Sequence, residues 1–244
     1  MRLFLAVIVL GLCSGCKKSE KPGIWLSFDD RSIDQWYELR GLLNENNVVV
    51  TFFITQPDSL TVQEVQKLRT LQEDGHEIGF HGTQHVLSED YIRKNGYRSY
   101  LDFEIDQGLT TLGRLGFKCS SFAYPYGEKY WFTDFFLKSR FDFTRDVAAV
   151  NGEKDLSIID DIYYSFDGDR TLSAIGFDNN SGIDHEMLEQ GMKRASENNE
   201  VLMLYAHEPT TSQRNGYQFN IRTLEKIISI ARSYKLVFYT TESF

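Results

Sequence analysis

The run Val48-Val49-Val50-Thr51-Phe52-Phe53-Ile54 has no polar alternation. β-Branched and aromatic residues in an unbroken run suit a strand buried on both faces, the situation of a parallel sheet covered by helices. Glu200-Val201-Leu202-Met203-Leu204-Tyr205-Ala206 reads the same way, and so does Gly23-Ile24-Trp25-Leu26. Two-sided burial demands helices between such strands, because parallel neighbours need crossover connections. The intervening sequence meets that demand. Apolar residues at helical spacing follow the first strand over 33–46, with Ser32 as the expected cap. Thr61 and Glu64 form a capping-box pattern for a helix ending near Asp74-Gly75. Further helices are expected over 97–115, 129–139, 183–198 and 221–234, and further strands over 76–81, 118–124, 141–144 and 235–240. Residues 157–162 and 172–177 are additional strand candidates. The alternation implies an α/β fold with a mostly parallel sheet or barrel, and residues 22–244 form the expected domain.

Residues 1–15 stand apart. A short basic start, an apolar stretch too short for a membrane span and small residues before Cys16 match a lipoprotein signal peptide, with Cys16 lipidated and residues 16–21 as a tether. That leaves Cys119 unpaired. The expected location is a bacterial cell envelope, exported and anchored to the membrane by lipid. The net charge of -9 argues against nucleic acid as a partner.

Four polar clusters sit at expected strand ends, where α/β folds bind ligands. The first is Ser27-Phe28-Asp29-Asp30. Adjacent carboxylates repel unless a cation or proton is shared between them, so the pair suggests a metal, although a turn or helix cap would also accommodate it. The second is His81-Gly82-Thr83-Gln84-His85; a helical turn there would project both imidazoles to one side. One carboxylate and two imidazoles leave a coordination position open, as in catalytic zinc sites. The third, Phe122-Ala123-Tyr124-Pro125-Tyr126-Gly127, reads as a tight loop whose Tyr126 N–H could face the site. The fourth ends in His207, a residue able to serve as a general acid, with Leu202 and Leu204 expected on the pocket floor.

In this order the four clusters resemble the motifs of the NodB-type polysaccharide deacetylases, carbohydrate esterase family 4. The resemblance implies a distorted (β/α) barrel with about seven parallel strands. It implies Asp29 as catalytic base, Asp30, His81 and His85 as ligands of one divalent metal ion (zinc first, cobalt or nickel as alternatives), and His207 as catalytic acid. Tyr126 would contribute its N–H to the oxyanion, and Tyr124, Pro125 and Leu204 would meet substrate. Trp25, Tyr124, Tyr126 and Trp131 are candidate platforms for sugar rings. Two departures stand out: Gly82 replaces the Ser or Thr of the histidine motif, and Ala123 occupies the place of an Arg that pairs with the catalytic Asp. Arg145 is the expected substitute for that Arg, and Asp146 the candidate for the Asp that orients His207. The implied activity is metal-dependent removal of N-acetyl groups from an amino-sugar polysaccharide, of the peptidoglycan, chitin or poly-N-acetylglucosamine kind, by a monomer. Rival readings are an O-acetyl polysaccharide esterase and a non-catalytic glycan-binding lipoprotein.

Overall fold

The computed structural model describes residues 20–149, 152, 153, 155–212 and 216–244. The signal segment and the lipidation candidate Cys16 lie outside the described residues.

Strand β1 (Gly23–Asp30) opens the fold and is followed by the short helices α1 (Ile33–Glu38) and α2 (Arg40–Glu45). The expected single helix over 33–46 is therefore split at Leu39, and Ser32 makes no side-chain cap. β2 (Thr51–Ile54) leads to α3 (Val62–Glu73). Here the capping box forms, with Thr61 and Glu64 each satisfying the other's backbone N–H. Val65, Leu68 and Leu71 line the buried stripe of α3. β3 (Glu77–Phe80) precedes α4 (Ser88–Asn95), then a continuous helical run of α5 (Tyr97–Tyr100), a π-helical turn (Leu101–Asp106) and α6 (Gln107–Arg114). β4 (Ser121–Ala123), α7 (Thr133–Leu137), β5 (Phe143–Val147), β6 (Tyr163–Tyr164) and β7 (Thr171–Gly176) come next. The strand expected over 157–162 is instead two 3₁₀ turns, because the Asp155 carboxylate captures the Ser157 N–H and curls the backbone. α8 (His185–Asn198), capped by Asp184, leads to β8 (Val201–Ala206), then β9 (Glu208–Thr210) and β10 (Gln218–Asn220), α9 (Ile221–Ser233) and β11 (Val237–Tyr239).

Strands β1, β2, β3, β4, β5, β7 and β8 pair in parallel in that order, and β8 pairs back with β1 from Gly23↔Val201 to Phe28↔Ala206. The result is a closed barrel of seven parallel strands. It is distorted at the N-terminal ends of the strands. There β11 pairs with residues 23–25 of β1, while β2 pairs only with residues 27–30. Likewise β6 runs antiparallel to the start of β8, and β7 meets β8 only from Ile175↔Leu204 onward.

Two apolar layers follow from the period-2 alternation of strand side chains. Ile24, Leu26, Phe28, Phe52, Ile54, Phe80, Phe122, Leu202 and Leu204 face outward into the layer shared with the helices. Trp25, Phe53, Ala123, Leu172, Ala174, Val201 and Met203 fill the barrel. The buried Glu77 carboxylate accepts from Thr51, from Ser121 and from the Thr241 N–H and hydroxyl, the last two at 2.7 and 2.6 Å. This ties the C-terminal turn to the barrel floor, and burial pushes the Glu77 carboxyl up against the pull of those donors.

Gly79 weakens β3 as a strand on paper, yet it faces the barrel interior. A Cβ there would stand 2.5 Å from the Phe53 ring and 2.8 Å from Ser121 Oγ. Gly79→Ala is therefore expected to destabilise the fold by about 1–3 kcal/mol through overpacking, read as a lower urea midpoint with an unchanged slope.

Candidate active site

The parity of β1 separates its two carboxylates. Trp25 and Asp29 share the inward face, and Asp29 is 3% exposed. Asp30 ends the strand with φ at 81°, which turns its side chain onto the rim. Left-handed backbone costs a non-glycine residue on the order of 1–3 kcal/mol and is tolerated where the surroundings enforce it. His85 and Tyr126 adopt it too, at φ 56° and 63°.

His81 continues the inward parity of β3 and is 2% exposed. Its Nδ1 lies 2.8 Å from the Ala123 carbonyl oxygen. A carbonyl only accepts, so Nδ1 carries the proton and Nε2 presents its lone pair. The segment from His81 to His85 is not the helical turn expected from its spacing. Gly82 at φ 87° and His85 at φ 56° fold it into a loop that returns the second imidazole to the first. Nε2 of His85 stands 3.3 Å from Nε2 of His81 and 3.2 Å from Asp30 Oδ1, and His81 Nε2 stands 3.5 Å from the same oxygen. Ligand atoms at corners of a tetrahedron with metal bonds of about 2.0–2.1 Å lie about 3.3–3.4 Å apart, so the three atoms fit one small divalent cation. Burial alone would raise the Asp30 carboxyl; when the facing His81 and His85 imidazoles are protonated, as they can be without a metal, they outweigh it and hold Asp30 well below the usual carboxylate range.

Arg145 reaches Asp29. The two form a hydrogen-bonded ion pair with side chains 1% and 4% exposed. Position 145 is the direct register partner of Ala123 across β4 and β5. The guanidinium thus enters the barrel at the height of position 123, from the neighbouring strand. Its carbon lies 4.8 Å from the Tyr205 ring centroid and 5.5 Å from that of Phe53. Arg145 Nη2 engages Asp29 Oδ2, while Asp29 Oδ1 is buried and has no hydrogen-bond partner in the protein.

His207 lies just beyond β8 on the Met203–Tyr205 face. Its Nδ1 is 2.6 Å from Asp178 Oδ2, and its backbone N–H donates to Asp178 Oδ1 at 3.1 Å. Trp36 Nε1 holds the His207 carbonyl at 2.8 Å. Burial would lower the His207 pKa, but the bond to Asp178 and the charges of Asp29, Asp178 and Asp30 raise it above its ordinary value. The orienting carboxylate is therefore Asp178, not Asp146. Asp146 pairs with Lys129 at 2.7 Å and accepts from Ser173. No motif marked Asp178; the available signal was its place just past β7, at the same end of the barrel as the other clusters.

The remaining expected substrate contacts are redistributed. Leu204 and Leu202 are fully buried on the outer face of β8, since residues of even number there point away from His207; Tyr205 takes the pocket position instead. Tyr124 is fully buried with its hydroxyl on Asp134 at 2.8 Å, and Pro125 is buried beside it. Trp25 is a core residue bonded to Thr51. Tyr126 is 66% exposed and packs its ring at a tilt, 4.8 Å from that of His85, while Trp131 is 81% exposed and outside the cavity lining.

Asp29, Asp30, His81, His85, Tyr126, Tyr205, His207 and Tyr217 surround a cavity of about 240 Å³. A shallower cavity of about 410 Å³, with Tyr91, Lys94 and Asn95 in its wall, shares Tyr126 with it. Behind the histidine loop, burial pushes the Glu104 carboxyl up to about 7, against the N–H groups of Val86 and Gln84.

A family profile described as polysaccharide deacetylase matches residues 17–138. No curated protein matches the sequence. Among solved structures, the chain is similar to the catalytic domain of a peptidoglycan N-acetylglucosamine deacetylase from Eubacterium rectale, at 16% identity and a TM-score of 0.57, over 93% of this chain and 92% of that one. It is similar to a family 4 carbohydrate esterase from Streptomyces lividans in complex with acetate, at 13% identity and a TM-score of 0.53, over 90% and 92%. A polysaccharide deacetylase from Bacillus cereus aligns at 14% identity and a TM-score of 0.52, over 92% and 95%. At these identities the common property is the barrel fold.

The His207–Asp178 pair has a measurable pH signature. A raised histidine pKa stabilises the fold fully below the ordinary value of about 6.5, and the contribution is lost as pH rises through the raised value. Asp178→Asn should lower the His207 pKa in an NMR titration and shrink that acid-side stability. An unmoved titration would show that Asp178 does not set it.

Proposed function

The chain belongs to the polysaccharide deacetylase family, and from that premise we propose that it hydrolyses N-acetyl groups on an amino-sugar polysaccharide, using one divalent metal ion, zinc first, held by Asp30, His81 and His85. The observation that carries the reading is that one cavity is lined by the three-atom cluster and by Asp29 and His207, each backed from outside the lining by its own partner, Arg145 and Asp178. A divalent cation supplies Lewis-acid polarisation of the acetyl carbonyl and acidifies water.

The side chains divide the proton work. Asp29 Oδ1, free of protein donors, takes the proton of the attacking water, while Arg145 on Oδ2 fixes the carboxylate's orientation. The Tyr126 N–H is the candidate backbone donor to the developing oxyanion. His207 Nδ1–H is committed to Asp178, which leaves Nε2 to protonate the departing amine. Water oxygen bonds to the acyl carbon, the C–N bond breaks, and acetate and a free amine result.

Amide hydrolysis asks for both a base and an acid, since an amine is a poor leaving group, and both pairs are built here. That favours the amide over the ester reading. The non-catalytic reading drew on Ala123 and Gly82. Its first support weakens because a guanidinium reaches Asp29 from position 145. A polymeric substrate is supported by the second cavity running on from Tyr126. Lipid attachment at Cys16 and a place in the cell envelope would put the enzyme beside such a polymer, and mass spectrometry of the membrane fraction tests this.

Acetate release from N-acetylglucosamine oligomers is the direct test. Activity should vanish with chelator and return with zinc; turnover surviving full metal removal would overturn the mechanism. Comparing amide with O-acetyl substrates separates the esterase reading. Arg145→Lys keeps the charge but loses the planar group packed between Phe53 and Tyr205 that aims Nη2 at Asp29, and a fall of about 10²-fold in kcat/KM is expected. Wild-type turnover in that variant would remove Arg145 from the mechanism.

A further inference from the structure

We propose that Glu104 is the positioning residue that sets His85 in the metal site, and that Gly82 and Glu104 form a matched pair in which the carboxylate fills the space a side chain at position 82 would take. The inference rests on the metal-site reading above and extends it to residues outside the cavity.

Glu104 is 1% exposed and sits in the π-helical turn Leu101–Asp106. Such turns are rare local widenings, frequent at functional sites. Its carboxylate accepts the N–H of Gln84 at 2.7 Å through Oε2 and the N–H of Val86 at 3.1 Å through Oε1. Its backbone carbonyl accepts the Thr83 N–H at 3.0 Å and the Thr83 hydroxyl at 2.9 Å. One buried residue thus holds the loop on both sides of His85.

The geometry has a physical reason. Backbone N–H groups flanking a left-handed residue converge on a small anion-binding concavity. His85 is that left-handed residue, and the Glu104 carboxylate is the anion in the concavity. Without it, two part-buried N–H donors on either side of His85 would lose their acceptor, and the strained φ of His85 would lose its support. The imidazole would then leave the 3.2–3.3 Å approach to Asp30 and His81.

Gly82 completes the pair. A Cβ at this position would stand 2.2 Å from Glu104 Oε1, and the backbone is at φ 87°. The Gly82 carbonyl is itself held by the Gln56 N–H and the Thr55 hydroxyl, so the loop cannot back away without breaking those bonds. The missing Ser or Thr side chain at position 82 is therefore accommodated by a carboxylate arriving from another element.

The test measures zinc affinity directly, by competition with a chromophoric chelator, alongside thermal unfolding. Glu104→Gln keeps the volume but turns one acceptor into a donor facing an N–H. It should weaken zinc binding about 10–100-fold, the usual effect of losing a residue that orients a ligand, while unfolding stays cooperative. Glu77→Gln is the control: its carboxylate is equally buried at the opposite end of the barrel and should lower the melting temperature without changing zinc affinity. Should Glu104→Gln not fold, Glu104→Asp, which keeps the charge but shortens the reach, is read instead with the same expected loss. Gly82→Ala should also weaken zinc, and the double variant with Glu104→Gln should lose less than the sum of the two. Wild-type zinc affinity in the folded Glu104 variant, or an equal loss in Glu77→Gln, overturns the proposal. If the wild type itself binds no zinc, the metal reading fails. A crystal structure of Glu104→Gln then decides the positioning role alone, supporting it if the His85 ring has moved from Asp30 and overturning it if the ring has not.

Discussion

A carboxylate buried in a barrel needs a counter-charge, and much of this site is arranged around the one that Asp29 receives. An uncompensated buried charge costs several kcal/mol, so removing one partner of such a pair is far more damaging than the net worth of the pair suggests. Arg145 meets Asp29 from β5, at the register position paired with Ala123 of β4. Its guanidinium is walled by Phe53 and Tyr205, which keep water away and hold the planar group in one orientation. Closure of the barrel makes this possible, because β1 and β5 are not neighbours in the sheet and meet only across its interior.

The same closure explains the division between the two adjacent aspartates. Strand parity sends Asp29 inside with Trp25, and the left-handed turn at Asp30 presents the next carboxylate to the histidine loop. Strain recurs at Asp30, His85 and Tyr126, each lining the cavity. Each strained residue is held by a defined bond: β1 pairing for Asp30, the Glu104 carboxylate for the His85 loop, and the Gly127 N–H to Tyr124 carbonyl bond across Tyr126. Floor and rim of the barrel thus have separate polar networks. Glu77 fastens the C-terminus at one end, while the cavity residues stay near solvent at the other.

Much of the architecture was legible because two-sided burial leaves an unmistakable trace. The apolar runs of β1, β2 and β8 and the Thr61–Glu64 capping box could be read directly from the chain. The segment from 157 to 162 misled because its β-branched residues look extended, while the carboxylate of Asp155 decides the local backbone. Leu204 misled for a different reason. The motif resemblance puts it against substrate, whereas period-2 alternation places Tyr205 on the histidine's face. Asp178 has only its place past a strand end to mark it, since an isolated Asp between Phe177 and Asn179 carries no motif and gains its role when β7 and β8 pair.

The sequence by itself determined the strand-and-helix alternation, the four polar clusters at strand ends and the Asp and His residue types of the candidate metal cluster. These depend on local periodicity and on the intrinsic chemistry of Asp and His, which are written along the chain. Only the tertiary structure turned the expected pairing of Arg145 with Asp29 into a contact, and it alone decided that Asp178 holds His207 and that Glu104 fills the space left by Gly82. Those pairs are separated by tens of residues or more, and what joins them is barrel closure and side-chain reach.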